Sequence, residues 1–268
     1  MTLDVLICSH DKGIVRISDI FLPPHKDVRY VVSYQYSDER YLELIPQDLL
    51  SREDVAFHKY PGKGLSANRN LALAQATADL VMYADDDSRL LDNTFEVAFS
   101  TFEKHPELDI ACFQASTYTG KMLKDYPSTF SPLTTVPKEY NVSTIEMVFR
   151  RDKVQDTIHF DERFGLGTKF LTCGEEEIWF KDALQAGLSI AYFPTKIVET
   201  SMMLKRALLY VEAGVQRSYG AISYYNYGKK AWWHCFKFAI TSACKGYCHF
   251  VPFMRHLAEG IRFMERTQ

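Results

Sequence analysis

The chain has 268 residues, 47% of them hydrophobic and 24% charged, the composition of an ordinary soluble globular protein long enough for one large α/β domain with an appendage. The net charge of −3 hides an asymmetry: residues 201–268 carry ten Lys or Arg against three Glu, a net of +7, which leaves −3 − 7 = −10 for residues 1–200. An acidic majority without a nucleic-acid motif argues against a nucleic-acid partner, and no window approaches the roughly 18 uninterrupted apolar residues of a spanning helix.

At the N-terminus the apolar run covers only residues 5–8 with no basic stretch before it, so no secretory leader is expected and a cytoplasmic setting follows. The six cysteines, at 8, 112, 173, 235, 244 and 248, are scattered and read as reduced, mostly buried thiols. Cys244, Cys248 and His249 lack the C-x-x-C spacing and the second pair of a structural zinc site.

"LDVLIC" and "RYVVSYQ" read as strands, with residues 13–21 able to form a helix before the turn "PPHKD". A third strand, "VAFHKY", runs into "PGKG", and a helix is predicted over 67–78 with Ser66 as its N-cap. "LVMYA" is a fully apolar strand that stops at Asp85, Asp86 and Asp87. Asn93 and Glu96 have capping-box spacing, opening a helix whose face holds Phe95, Ala98, Phe99 and Phe102, and "LDIACFQA" follows as another strand. Strands alternating with helices predict a mostly parallel sheet covered on both faces, with ligands beyond the carboxyl ends of its strands.

Residues 116–140 are polar and turn-rich, too long for a plain connection and suited to a lid or binding loop. "VSTIEMVFR" alternates like a half-exposed strand. A loop with Gly165 and Gly167, a helix opened by glutamates and stopped by Gly187, and a strand over 188–193 come next, and a second unit begins near Thr200.

Three adjacent carboxylates repel one another unless a cation or several donors stand among them. A hard divalent cation takes oxygen ligands and bridges carboxylates to phosphates, so the triplet suits a phosphorylated ligand; the plain alternative is a solvated turn. In the glutamate helix, Glu177 stands four residues before Lys181 and is the solvent-facing candidate. Glu176 precedes Trp179 and Phe180 by three and four, which turns it inward or towards a cleft. The alternative is that these acids only complement the helix dipole, worth about 0.3–1 kcal/mol each.

Together "GLSANRNLALAQATADLVMYADDDSRL" and "FDERFGLGTKFLTCGEEEIWFKDALQAGLSIAYFP" resemble the family 2 glycosyltransferases of the GT-A fold, inverting enzymes of bacterial polysaccharide biosynthesis. The former stretch pairs an "ARN"-like helix with an acidic D-x-D strand end. The latter is similar to the acceptor-side block of that family. The resemblance implies an α/β, Rossmann-like mostly parallel sheet over 1–200, with 1–115 as the nucleotide-sugar half and 116–200 as the acceptor half, and a C-terminal helical extension over 201–268.

It also implies roles. Asp85 and Asp87 match the ends of the D-x-D, Asp85 near the ribose and Asp87 on a Mg or Mn ion, with Asp85 counted beside it as a metal ligand. Asp86 stands between them as the spectator and is grouped with the donor-binding residues Ser9, Gln35, Lys63 and Arg69. Ser9 and Gln35 would touch the nucleobase; Lys63 and Arg69 flank a glycine turn where anions bind, and Arg69 could equally pair with a carboxylate. The acidic pair falls on Glu175 and Glu176, the second as general base, although the third glutamate lets this assignment slip by one. The histidine common after the return strand is missing from "KIVETSMM", so Glu199, Thr200 or Ser201 must substitute or the metal site differs.

The implied activity is transfer of a sugar, with inversion, from a nucleotide-sugar donor, UDP by family habit, to a saccharide or lipid-linked saccharide. A sugar-phosphate nucleotidyltransferase is the competing enzyme, but "CSHDKGI" supplies only one glycine and one lysine for its phosphate loop. A non-catalytic sugar-nucleotide-binding module is the third reading. The aromatic, basic segment after residue 201 suits contact with the inner face of the plasma membrane, or its Trp232, Trp233, Phe236 and Phe238 cover the sheet while its lysines are solvated.

Overall fold

Consecutive rather than alternating apolar residues suit strands buried on both faces, and β1 (Leu3–His10) is buried from Leu3 to Ser9 in the computed structural model, which describes residues 1–137, 141–201 and 205–267. A 3-10 segment (Asp11–Ile20) leads to β2 (Val28–Tyr36), parallel to β1 with His10 opposite Gln35. Helix α1 (Gln47–Leu50) precedes β3 (Val55–Pro61), parallel to β2. Helix α2 (Leu65–Ala74) leads to β4 (Leu80–Asp85), parallel to β1 on its other side. Then follow β5 (Ser88–Leu90), α3 (Thr94–Lys104), β6 (Ile110–Thr117), β7 (Ser131–Pro132), β8 (Met147–Arg150), α4 (Arg151–Val154), α5 (Glu175–Gln185) and β9 (Ile190–Thr200).

The strand order is β3-β2-β1-β4-β8-β6-β9-β5, with β7 on β9. The half from β3 to β4 is wholly parallel, β8 runs antiparallel to both neighbours, and β9 is parallel to β6. Alternate residues divide the core between the two faces: Leu3, Val5 and Ile7 pack with Ile14, Phe95 and Phe102, while Leu6, Val81 and Tyr83 pack with Ala72, Phe160 and Trp179. The α/β class expected from the alternation is the one observed.

Local differences from the sequence reading have identifiable causes. Helix α2 begins at Leu65 after Gly64, so Ser66 lies inside the first turn instead of capping it. It also ends at Ala74, not 78, because buried Asp4 captures the next amides: its Oδ2 accepts from Thr77 N at 2.6 Å and Ala78 N at 3.0 Å, and Arg29 grips the same carboxylate at 2.7 Å. Asn93 makes no side-chain cap on α3; Thr94 Oγ1 instead accepts from Leu91 N at 3.0 Å and donates to Ile197 O. Strand β9 runs on to Thr200, with its register to β6 broken around Pro194, a residue that has no N–H for a ladder.

The expected half-exposed strand at "VSTIEMVFR" is a 3-10 turn (Thr144–Glu146) and then β8, whose Met147, Val148 and Phe149 are all buried. A true capping box, Ser143 with Glu146, opens it. Glu146 is fully buried yet answered by Lys124 Nζ at 2.8 Å, Ser143 N at 2.9 Å and the Tyr126 hydroxyl, which ties the segment around Lys124 and Tyr126 to the sheet. Burial pushes the Glu146 carboxyl up, and Lys124 opposes the shift. Replacing Glu146 by Gln removes the charge that Lys124 faces, and a urea titration should show a loss of about 1–3 kcal/mol. An unchanged midpoint would contradict the tether.

Two compact units result, Met1–Phe160 with Trp179–Met202, and Asp161–Ile178 with Met203–Gln268. The division falls within α5, between Ile178 and Trp179. The second unit contains α6 (Ala213–Tyr227), α7 (Ala231–Cys244) and α8 (Phe250–Thr267) around Phe164, Leu171, Leu257 and Ile261. Helices α6 and α8 meet backbone to backbone, which requires two glycines: a Cβ on Gly220 would lie 2.0 Å from Leu257 O, and one on Gly260 1.9 Å from Arg217 O. No helix among the described residues is long and apolar enough to cross a membrane.

Candidate active site

Parallel pairing carries the ends of β1, β2 and β4 to one edge of the sheet, the place where open α/β sheets bind ligands. Ser9 and Gln35 lie there, 2% and 4% exposed. Asp11, just past β1, has φ of 46°, the one positive φ outside glycine among the described residues. It is held by the end of β2: its carboxylate accepts from Ser37 N and Ser37 Oγ, both at 2.7 Å, and its carbonyl accepts from Tyr34 at 3.1 Å. A backbone outlier so tightly held is a frequent mark of a binding loop.

Each acid of the triplet has its own partner, which is how the chain tolerates three in a row. Asp85 pairs with Arg69 at 3.3 Å. Arg69 is 1% exposed and its guanidinium carbon lies 5.2 Å from the Phe160 ring centre, so burial and the ring confine the guanidinium, while its backbone carbonyl accepts the Tyr83 hydroxyl at 3.1 Å. Asp86 accepts from the Arg16 guanidinium and from Ser9 Oγ at 3.3 Å. Burial pushes its carboxyl up, and the Arg16 hydrogen bond draws it back down. Asp87 accepts the Ser201 hydroxyl at its carboxylate and the Tyr118 hydroxyl at its carbonyl. Register explains the Ser201 contact: β5 pairs antiparallel with the end of β9, Ser88 opposite Thr200, so the next step sets Asp87 against Ser201.

Gly13 leaves room for the Asp86 carboxylate at this edge. A Cβ there would lie 1.8 Å from Asp86 Oδ2 and 3.0 Å from Ser9 Oγ. Gly13→Ala should therefore push the Asp86 carboxylate off its partners and cost about 1 kcal/mol in a thermal melt; an unchanged melting temperature would contradict the close packing.

Ser9, Arg69, Asp85 and Asp86 are thus joined to Asp87 in one neighbourhood, and Gln35 lies opposite His10 near the end of the adjacent strand. Lys63 is exposed on the β3–α2 turn between Gly62 and Gly64, whose φ values are 127° and 133°. Of the three residues offered in place of histidine, Ser201 is the one bonded to Asp87; Glu199 accepts from Ser116 at 3.3 Å and pairs with Lys196 at 3.4 Å. Arg16 and Tyr118 were missed by sequence reasoning, although adjacent acids demand a nearby cation and Arg16 follows β1 by six residues.

In the second unit, the glutamates open α5 after Gly174, whose φ is 100° and whose added Cβ would lie 2.4 Å from Ile222 Cδ1. Glu175 is buried at 3% exposure and Glu176 is half-buried. Glu177, expected on the solvent face, is half-buried as well and accepts Asn226 Nδ2 at 3.2 Å, because α6 packs beside it.

No cluster of three His, Cys, Asp or Glu side chains among the described residues could cage a metal. Asp85 and Asp87 do supply carboxylate oxygens, the donor type a hard cation takes when phosphates and water complete its shell. Two guanidinium groups against three carboxylates leave one net negative charge, which also favours a cation.

Residues 18–167 match the family model described as Glycosyl transferase family 2. No curated protein sequence matches the chain. Among solved structures it is similar to S. aureus TarS 1–349, with a TM-score of 0.62 at 13% identity over 100% of this chain and 92% of that one. It is also similar to TarS 1–349 in complex with UDP-GlcNAc, with a TM-score of 0.60 at 14% identity over 83% and 66%. A further S. aureus TarS structure gives 0.57 at 15% identity over 84% of this chain and 40% of its own length. At these identities the likeness is one of fold, and this chain spans 40% and 66% of the first two TarS chains that match it.

Proposed function

Because this chain belongs to glycosyl transferase family 2, we propose that it moves a sugar from a nucleotide-sugar donor to a saccharide or lipid-linked saccharide by a single displacement that inverts the anomeric carbon. The observation that carries this reading is the acid triplet at the carboxyl end of β4, individually braced by Arg69, Arg16 with Ser9, and Ser201. The similarity to a UDP-GlcNAc complex favours a UDP-sugar as donor.

Ser9 and Gln35 would face the nucleobase, Asp85 the ribose, and Lys63 the diphosphate. Asp85 and Asp87 would hold a Mg or Mn ion. When bound, that ion would neutralise charge on the leaving diphosphate. Arg69 fixes Asp85, and Arg16 fixes Asp86, so the triplet needs little reorganisation as charge develops. Glu176, with Glu175 beside it, would take the proton of the attacking hydroxyl; a carboxylate positioned for this contributes about 10²–10⁴-fold. Residues 1–200 would form the transferase domain, and a lipid-linked acceptor would place the reaction at the inner face of the membrane.

A thermal-shift screen of UDP, UDP-GlcNAc and other nucleoside diphosphates, each with and without manganese, tests the reading. A ligand at about 100 times its Kd adds roughly 2.7 kcal/mol to the native state, so one nucleotide should raise the melting temperature, more with manganese. No shift with any nucleotide would count against it.

A further inference from the structure

Helix α7 is built inside out. Its buried residues, Ala231, Cys235, Ala239 and Ser242, are small and recur every three or four positions. Trp232 and Phe238 pack against the core of the unit, but three large apolar residues point the other way: Trp233 is 60%, Ile240 42% and Phe236 39% exposed. Trp233 and Phe236 stack with ring centres 5.9 Å apart, Phe236 meets Phe250 edge-on, and Val251, 74% exposed, lies one residue further on. Folding ordinarily turns such residues inward, and a contiguous apolar patch on the outside marks an interaction surface.

The charges around the patch select its occupant. Lys229 and Lys230 precede α7, Lys237 sits 5.0 Å over the Trp233 ring, and Lys245 follows the helix; all four are exposed. No Asp or Glu occurs between Glu212 and Glu259. A second copy docking through the same face would set lysines against lysines, since a two-fold interface repeats one patch on both sides, and the acid that α8 brings against α7, Glu265, is already engaged by Trp232 Nε1 at 3.0 Å. An acidic bilayer answers every lysine at once. Indole rings prefer the headgroup level, and lysine stems lie along apolar surface while their ammonium groups stay in water.

We propose that this face of α7 docks on an anionic lipid bilayer, with Trp233, Phe236 and Ile240 inserted at the headgroup boundary and Lys229, Lys230, Lys237 and Lys245 over acidic headgroups. The proposal rests on the helical unit alone and holds whatever the donor or acceptor of the transferase. Co-sedimentation of the full chain with phosphatidylcholine vesicles, with and without phosphatidylglycerol, tests it. Binding to the anionic vesicles only, weakening as salt is raised, is expected. Each Lys→Gln change at positions 229, 230, 237 and 245 should lower partitioning about fivefold, and Trp233→Ala about tenfold or more.

Because the substituted side chains are exposed, unchanged circular dichroism should accompany each loss. Equal binding to neutral vesicles, no binding to either kind, or wild-type partitioning by Trp233→Ala would overturn the proposal. So would a dimer in gel filtration that Trp233→Ala dissolves without any vesicle binding, which would assign the face to a second copy.

Discussion

Glu176→Gln should abolish transfer while leaving the donor bound. The amide keeps the shape and the hydrogen-bonding reach of the side chain but cannot accept a proton at neutral pH, so the acceptor hydroxyl must attack undissociated. We expect kcat to fall about 10²–10⁴-fold, the usual contribution of a positioned general base, with nucleotide affinity within a factor of two or so of wild type. The same change at Glu177 serves as the internal contrast: Glu177 accepts Asn226 Nδ2 at 3.2 Å, so its loss should appear as stability, and transfer should survive. If Glu177→Gln instead silences the enzyme and Glu176→Gln does not, the base is one residue further along the helix.

Asp87→Asn is the other large effect. Asp87 is braced by the Ser201 and Tyr118 hydroxyls, and an asparagine can still accept both, so the fold should hold. What disappears is a charge. A cation held by this carboxylate would stabilise the leaving diphosphate by several kcal/mol, so we expect a rate loss of about 10²-fold or more. The nucleotide affinity measured in manganese should fall to the level seen in a chelator. Asp86→Asn should behave differently, because Asp86 is turned to Arg16 and Ser9; a smaller loss, with metal dependence kept, is expected there.

Much of this arrangement was legible in the sequence because it is local. Short β-rich apolar runs such as "LDVLIC" and "LVMYA", bounded by turn residues, read as buried strands, and an acid cluster directly after one lands at the sheet edge. The glutamates opening α5 and the stop near Gly187 follow from helix-end chemistry over a few residues. What could not be read depends on distance along the chain. Arg16 lies 70 residues from Asp86 and Ser201 114 residues from Asp87; only the sheet brings them together.

Helix α2 shows the same limit at smaller scale. Its composition favours helix to 78, but Asp4, more than 70 residues earlier, offers the amides of Thr77 and Ala78 a better partner, and the helix stops. Glu146 misled the strand reading for a related reason. A buried glutamate resembles the polar half of an alternation until Lys124 and Tyr126 are seen to answer it. Helix α7 could be read two ways, and in the structure Trp232 and Phe238 are half-buried in the helical unit's own core while Trp233 and Phe236 face outward.

Calorimetric titration of nucleoside diphosphates into the wild-type chain and into Asp87→Asn, in manganese and in chelator, is the most direct test of the acid triplet as a diphosphate grip. The account predicts that one nucleotide binds wild type more tightly by at least about tenfold with manganese present, and that Asp87→Asn loses this difference. Equal affinity with and without the cation, or an undiminished manganese effect in Asp87→Asn, would contradict it.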